Sequence, residues 1–234
     1  TLGHLCKKIK ELIPQLNALK SKDNTIEENE WLSAFQTSLI QSEERIKERL
    51  ACIQKLSIEC MDLADMEWDF LYDRSKHLLT IGYKVDEHPC DPGYHDLLAS
   101  EARLCTFVAI SQGKLPEESW FALGRLLTDI GGDAILLSWG GSMFEYLMPL
   151  LVMPTYENTL LDQTYKTAVK RQIEYGKQRG TPWGVSESGY NMVDASSNYQ
   201  YQAFGVPGLG LKRSLETNLV IAPYATGLAT MVDP

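Results

Sequence analysis

The chain has 234 residues, of which 44% are hydrophobic, and a formal net charge of -9 at pH 7. This length and composition suffice for one large domain or two small ones, and they argue against disorder. The acidic balance and the scattered Lys and Arg argue against nucleic acid as a partner, because phosphate binding needs a clustered basic face. No apolar run reaches the roughly 18 residues that span a bilayer, and the first residues lack a signal-peptide pattern. We therefore expect a soluble chain.

The five cysteines are an odd number at irregular spacings, in a chain too long to need disulfide staples. We expect free thiols in a reducing compartment, which favours a cytoplasmic location. A metal site is the alternative interpretation of four neighbouring residues, His88, Cys90, His95 and Cys105. Their intervals match no zinc pattern, so we expect neither a metal nor another cofactor.

The first 66 residues are highly charged and have helical periodicity. We predict one helix from Leu2 to Leu19, a polar break at 21–24 and a second helix from about Glu28 to Met66. Apolar residues recur at helical spacing in the second helix, and its EERIKER run supplies a solvated face. The segment 1–66 is thus predicted to be a helical hairpin that packs on its own domain, with binding of a partner as the alternative.

From residue 67 onward the pattern is mixed. The segment 69–83 predicts a β-hairpin around the polar turn at 73–76, and a short apolar segment at 134–139 interrupts the helices that follow. The predicted helices are Tyr94 to Gln112, Pro116 to about Leu127, Ser142 to Val152, Asn158 to at least Tyr175, and Val220 to Met231. Helices separated by long loops favour an α-helical toroid whose site is built from loops at one end.

The segment from Gly180 to Arg213 combines glycines, serines and aromatic rings around one acidic residue, Glu187. We interpret it as a loop that binds a polar ring compound, with a sugar as the first candidate. Its rings are Trp183, Tyr190, Tyr199, Tyr201 and Phe204. The run GVPGLGLK within it is superficially like a phosphate loop. It lacks a preceding strand and a GK[ST] ending, so we predict a tight structural turn.

Glu101 stands out because leucines three and four residues away put it on the apolar side of its predicted helix. A carboxylate there is costly unless it is paired or has a function. Apolar surroundings would raise its pKa and suit a general acid. The alternative is a buried structural salt bridge, for which Arg103 and Asp96 are the available neighbours.

Glu187 has the opposite surroundings, since Ser186, Ser188 and the flanking glycines offer donors that would keep it ionised. A charged carboxylate across a sugar cleft from a protonated one is what glycosidic bond cleavage needs. A carboxylate that caps a turn is the alternative. Glu145 is the only charged residue in WGGSMFEYLMPLLVM, and we keep it as a substrate contact or as an alternative acid.

Five long runs carry a resemblance to a known family: FLYDRSKHLLTIGYKVDE, YHDLLASEARLCTFVAISQG, LLSWGGSMFEYLMPLLVM, LLDQTYKTAVKRQIEYG and GTPWGVSESGYNMVDASSNYQYQAFGVPGLGLKRSL. They resemble the central, glucoamylase-like domain of bacterial cyclic β-1,2-glucan synthases. The resemblance covers about residues 67–234 almost without a gap. Residues 1–66 resemble the helical segment that precedes this domain, much less specifically.

The resemblance implies a mostly α fold: an incomplete (α/α)6-barrel, or toroid, with small β-hairpins over 67–234, preceded by the helical hairpin. It also implies a domain that closes linear β-1,2-glucan into a ring by retaining transglycosylation, with Glu187 as the nucleophile and Glu101 as the acid/base. The parent protein would be a bacterial inner-membrane synthase with this domain on the cytoplasmic side. The expected partners are β-1,2-glucan and the other domains of that synthase.

β-1,2-Glucan presents apolar CH faces that stack on rings. We therefore predict four aromatic residues as sugar platforms and two polar residues as hydroxyl partners: Trp139, Trp183, Tyr190, Tyr201, Asp96 and Gln202. For each ring, burial in the barrel is the alternative.

The family's barrel continues beyond the MVDP at which this sequence stops. We therefore expect an incomplete cleft, weak or absent activity of the isolated chain, and an apolar edge through which two copies could form a homodimer. Two other functions stay open, a β-1,2-glucan hydrolase on the same scaffold and a non-catalytic module that binds the glucan or organises the larger enzyme.

Overall fold

The computed structural model describes residues 1–20, 24–87 and 90–234, and the chain divides into two compact units, Thr1–Glu67 and Trp68–Pro234. The first unit is a hairpin of two helices, α1 (Leu2–Leu19) and α2 (Ile26–Ala64). The hydroxyl of Thr25 accepts from the backbone N–H of Glu28, whose carboxylate accepts from Thr25 in return, so α2 begins with a capping box. The predicted helical hairpin is confirmed; residues 21–23 of the predicted break lie outside the described part.

The second unit begins with two short strands, β1 (Tyr72–Asp73) and β2 (Leu78–Leu79), which pair antiparallel with Tyr72 opposite Leu79. The carboxylate of Asp73 closes the turn by accepting from the backbone N–H and the hydroxyl of Ser75. It also accepts from the hydroxyl of Tyr94, 21 residues away. The hairpin predicted over 69–83 is therefore present.

Asp73 should make this hairpin sensitive to acid. The Ser75 and Tyr94 hydroxyls lower the pKa of Asp73 from 3.8 to about 2. Because the folded-state pKa is depressed, this stabilisation is present above about pH 4 and is lost as the pH falls towards 2. We expect Asp73→Ala to lower the melting temperature near neutral pH. The difference in melting temperature between the variant and the wild type should disappear between about pH 4 and pH 2. A difference that does not change with pH would contradict this.

The next helices are shorter than the sequence predicts. The predicted helix from Tyr94 instead begins at Ser100, as α3 (Ser100–Ser111), because the Asp96 carboxylate accepts from the backbone N–H groups of Leu98 and Ala99 and forms a turn there. The helix predicted from Pro116 is limited to α4 (Glu118–Ala122).

A β-hairpin that the sequence analysis missed follows α4. Strands β3 (Leu127–Ile130) and β4 (Asp133–Leu136) pair antiparallel, and Gly131 and Gly132 form the turn with φ of 63° and 92°. Glycine is suited to both positions because side chains are strained at positive φ. The first half of the apolar segment predicted at 134–139 therefore lies in β4, whose Ile135 and Leu136 are buried.

Two helices form the centre of the second unit. Helix α5 (Met143–Leu147) continues into a 3₁₀ turn at Met148–Leu151, and α6 (Leu160–Arg179) is capped by Thr159 rather than by the predicted Asn158. The core around them consists of Leu97, Leu98, Ile135, Leu136, Met143, Tyr146, Leu147, Val169, Val185, Val206 and Leu209, each at most 2% exposed. This rigid centre supports the loops that carry the candidate site.

The aromatic segment predicted as a loop contains a hairpin. Strands β5 (Ser188–Val193) and β6 (Tyr199–Gln202) pair antiparallel with a register shift between Tyr190 and Val193. The chain ends with α7 (Pro223–Ala229). In the part of the chain that the structure describes, no helix combines the length and apolar character required for a membrane span.

The GVPGLGLK run forms a structural turn against the loop before α5. Ser138 donates its backbone N–H to Leu209, and Leu211 donates back to Ser138, at 3.1 and 3.0 Å. The backbones are so close that a Cβ on Gly205 would lie 1.8 Å from the carbonyl oxygen of Gly140. The predicted structural turn is therefore present.

Candidate active site

The backbone before Glu187 is attached to α6 by a buried glutamine. The Gln172 side chain, 1% exposed, accepts from the N–H of Val185 at 2.9 Å and donates to the C=O of Val185 at 2.8 Å. An antiparallel bridge to Ile221 holds Val185 from another side. Glu187 therefore projects from a segment that is fixed two residues earlier.

A relay of hydrogen bonds fixes the backbone of Glu187 itself. The N–H of Phe144 donates to the Ser186 hydroxyl at 2.9 Å, which lies 2.8 Å from the Tyr224 hydroxyl. The Tyr224 hydroxyl donates its proton to the C=O of Glu187 at 2.9 Å, so Ser186 is the donor to Tyr224. Burial raises the pKa of Tyr224, and the charge of Glu187 adds to this effect.

The half-buried carboxylate of Glu187 contacts two hydroxyl groups. Tyr201 donates to its Oε2 at 2.7 Å, and the Ser142 hydroxyl lies 3.5 Å from its Oε1. The predicted donors were the adjacent serines, and that detail is wrong: the Ser186 hydroxyl serves the relay, and Ser188 donates to the C=O of Gly189. The hydrogen-bonded Oε2 leaves Oε1, with its longer contact, as the oxygen more able to react.

Glu101 is exposed, which contradicts its predicted place on the apolar side of a helix. Since α3 begins only at Ser100, the leucines before it do not share its helical face, and the buried positions of α3 are Ser100, Arg103, Thr106 and Ala109. The Glu101 carboxylate accepts from the Ser100 hydroxyl at 2.8 Å. Glu101 is therefore solvated, and the apolar surroundings predicted for it are absent.

Arg103 is the buried charge of α3, at 1% exposure. It donates to the hydroxyl of Tyr165 at 2.8 Å and to the C=O of Glu145 at 3.3 Å, and burial lowers its pKa. These hydrogen bonds go to α6 and to the carboxyl end of α5, and among the residues that the structure describes Arg103 forms no salt bridge to Glu101 or Asp96.

The hydroxyl of Tyr201 is perturbed mainly by its hydrogen bond to Glu187. The hydrogen bond to Glu187 raises the pKa of Tyr201 to about 12; burial, the charge of Glu187 and the charge of Glu101 contribute further. Of the two carboxylates named from the motifs, Glu187 is the one that contacts Tyr201 directly.

Glu145 is held as a structural acceptor. Its Oε1 accepts from the N–H of Gly140 at 2.8 Å, and its Oε2 accepts from the Ser138 hydroxyl and from the N–H and hydroxyl of Ser142 at 2.9–3.1 Å. The pair Ser142 and Glu145 is a capping box that begins α5. The Ser142 hydroxyl lies between the two carboxylates, 2.9 Å from Oε2 of Glu145 and 3.5 Å from Oε1 of Glu187. With most of its acceptor capacity in use, Glu145 supports the loop beside Glu187.

We expect Glu145→Ala to destabilise the second unit by about 2–4 kcal/mol, because it leaves four donors without their acceptor. Urea unfolding followed by tryptophan fluorescence measures this. The matched control is Glu174→Ala at an exposed position of α6, where we expect a change within about 0.5 kcal/mol. Equal effects of the two substitutions would contradict a structural role for Glu145.

The predicted sugar contacts differ in accessibility. Trp139 and Tyr201 are 68% and 67% exposed and present free ring surface. Trp183 is half-buried against the core, and Tyr190 packs edge-to-face on Phe204 at 5.2 Å.

The two predicted hydroxyl partners are less open than the rings of Trp139 and Tyr201. Gln202 is half-buried opposite Ser188 in the β5–β6 hairpin. Asp96 has its Oδ1 engaged at the start of α3. Trp139 and Tyr201 are therefore the predicted contacts most open to a sugar.

Three residues of the site were not predicted from the sequence: Ser142, Gln172 and Tyr224. A signal for Gln172 was present, because it occupies the apolar stripe of α6 together with Tyr165, Ala168 and Val169. A glutamine on such a stripe needs a buried partner, which here is the backbone of Val185. Among the residues in 1–20, 24–87 and 90–234, no cluster of His, Cys, Asp and Glu could hold a metal; His88 lies outside these ranges.

Comparison with known proteins agrees with the resemblance seen in the motifs. Residues 93–234 match the family model described as a putative glucoamylase. The protein named cyclic beta-(1,2)-glucan synthase NdvB from Rhizobium meliloti (strain 1021) is 48% identical over 192 residues, which are 82% of this chain and 7% of that protein. The chain thus spans a small part of the relative that it matches, and the predicted family is confirmed. The chain belongs to the glucoamylase-like family.

Proposed function

We propose that residues 68–234 carry the catalytic carboxylates of a glycosyl-transferring unit that closes linear β-1,2-glucan into a ring. The substrate follows from the name of the relative, a cyclic β-(1,2)-glucan synthase. The observation that carries the proposal is Glu187, whose neighbouring backbone is held by Gln172 and Tyr224 and whose carboxylate accepts from Tyr201; Glu101 joins it through the ASEARL motif.

In the first step, Glu101 as an acid gives its proton to the oxygen of a β-1,2-glycosidic bond. Glu187 attacks the anomeric carbon with its carboxylate, the C–O bond to the leaving chain breaks, and the leaving chain departs with the proton on its 2-hydroxyl. A glycosyl ester on Glu187 results. Tyr201 donates to Oε2, which leaves Oε1 to form the new bond.

In the second step, Glu101 as a base removes the proton from the 2-hydroxyl at the other end of the same glucan chain. That oxygen attacks the anomeric carbon, the ester to Glu187 breaks, and a ring forms with the original anomeric configuration. If water takes the place of the 2-hydroxyl, the product is linear and the reaction is hydrolysis. Exposed Trp139 and the ring of Tyr201 would hold glucosyl units by stacking.

The fold proposal is that α3 to α7 contribute to an (α/α)6 toroid, with the candidate site at the end where the loop before α5, the β5–β6 hairpin and the start of α3 meet. Three expectations stay predictions: contact with other domains of a membrane-bound synthase, a position on the cytoplasmic side, and a homodimer through an apolar edge.

Product analysis tests the proposal. The matched segment of the Rhizobium meliloti synthase is replaced by this chain, and the hybrid receives linear β-1,2-glucan. We expect cyclic products without reducing ends. Accumulation of reducing ends would favour hydrolysis, and ring formation that persists in Glu101→Gln and Glu187→Gln hybrids would favour a non-catalytic module.

A further inference from the structure

A small cavity adjoins Glu101, and its lining among the described residues includes neither Glu187 nor the aromatic residues of the β5–β6 hairpin. It has a volume of about 190 Å³ and lies between the β1–β2 hairpin and the first two turns of α3. Its lining includes Leu71, Leu79, Thr80, His95, Glu101 and Cys105. Neither the proposed chemistry nor the stacking residues above account for this space.

The cavity has the size and polarity of a single sugar ring. Its volume is the space that about six water molecules occupy in the liquid. A cavity of this size is too small for a whole disaccharide and is smaller than most drug-binding sites. Leu71, Leu79 and buried Leu123 supply apolar surface. His95, Thr80 and Glu101 supply groups that hydrogen-bond hydroxyls. A pyranose has the same two characters, apolar CH faces and a polar rim.

We propose that this cavity binds one glucopyranosyl ring, the unit of β-1,2-glucan that leaves in the first step. In the second step the cavity holds the unit whose 2-hydroxyl attacks. The inference rests on the proposed acid/base role of Glu101. An acid/base stands beside the glycosidic oxygen, so a cavity that is lined by it and not by the nucleophile is suited to the leaving sugar attached to that oxygen.

Cys105 reports occupancy of the cavity without any catalysis. It lines the cavity and is half-buried, and burial raises the pKa of its thiol, so alkylation is slow near neutral pH and easily timed. A variant of the full chain with only this thiol is made by replacing Cys6, Cys52, Cys60 and Cys90 with serine. Retention of the fold is checked by circular dichroism.

The experiment measures the rate of iodoacetamide alkylation with and without sophorose, the β-1,2-linked glucose disaccharide. At about four times its Kd, sophorose should slow the alkylation of Cys105 about fivefold, because only the free fraction reacts. Sorbitol at the same concentration should have no effect. A matched variant that retains only Cys52, an exposed thiol of α2, should react at the same rate with and without the disaccharide.

The failure of this inference can be told apart from failure of the proposed function. If saturating concentrations of sophorose, tested up to its solubility limit, leave Cys105 alkylation unchanged, the cavity proposal is overturned even if the hybrid synthase makes rings. If sophorose protects Cys105 and ring formation survives Glu187→Gln, the cavity proposal stands and the catalytic one fails. Protection that persists when Glu187→Gln is added to the single-thiol variant supports binding that is independent of the nucleophile.

Discussion

Replacement of Glu187 by glutamine in the hybrid synthase is expected to lower the rate of ring formation by about 10⁴-fold or more, because removal of a nucleophile eliminates the covalent route. Glutamine has nearly the same shape and still accepts the hydrogen bond that Tyr201 makes to Oε2. The fold should therefore persist, and the loss should be in the rate. The measurement is the appearance of cyclic glucan from a linear substrate.

The matched control for this substitution is Glu174→Gln, which changes an exposed glutamate of α6 away from the hydrogen bonds of the site. We expect it to leave the rate within about twofold, in line with the small effects of exposed substitutions. A Glu187→Gln hybrid that keeps its melting temperature and forms rings within about tenfold of the unmodified rate would exclude Glu187 as the nucleophile.

Gly205→Ala is expected to have the largest effect on stability, a loss of at least about 3 kcal/mol. A Cβ there would lie 1.8 Å from the carbonyl oxygen of Gly140 and 2.8 Å from the carbonyl carbon of Gly141. These atoms are backbone and cannot rotate away. They are also held in place, since Val206 donates to Gly141 and Gly140 donates to Glu145.

Gly227→Ala is the matched control, because it lies within α7 and a Cβ there would meet nothing within 4 Å. Alanine is the better helix former by up to about 1 kcal/mol, so this variant should be as stable as the wild type or more stable. Urea unfolding compares the two variants. If Gly205→Ala lowers the free energy of unfolding by less than about 1 kcal/mol, the loops that carry Gly205 and Gly140 can move apart to admit the methyl group.

The sequence predicts the long helices and the β1–β2 hairpin well, but it misses strands β3 to β6. Helices α1 and α6 have clear caps and sustained periodicity: α1 has the predicted bounds, and α6 begins two residues after the predicted start and ends at Arg179, beyond the predicted minimum of Tyr175. Strands β3 and β4 have four residues each and β6 has four, too few to show an alternation. The Gly131–Gly132 pair was a usable hairpin signal.

The same contrast holds for the candidate site. The SESGYN and ASEARL motifs identified both carboxylates, yet the environment inferred for Glu101 was wrong because the helix start at Ser100 depends on the Asp96 turn. The contacts that position Glu187 join residues that are 13, 38 and 45 apart in sequence, through Gln172, Tyr224 and Ser142. Such partners are determined by packing, which residue spacing alone does not reveal.

The most direct test of the central claim is to trap the glycosyl-enzyme. An aryl β-sophoroside has a leaving group that needs no acid, so a Glu101→Gln hybrid should form the ester and, lacking its base, release it slowly. Peptide mapping by mass spectrometry then locates the sugar. We expect a sophorosyl ester on Glu187. An ester on Glu145 or another carboxylate, or turnover with inverted anomeric configuration and no ester, would contradict the account.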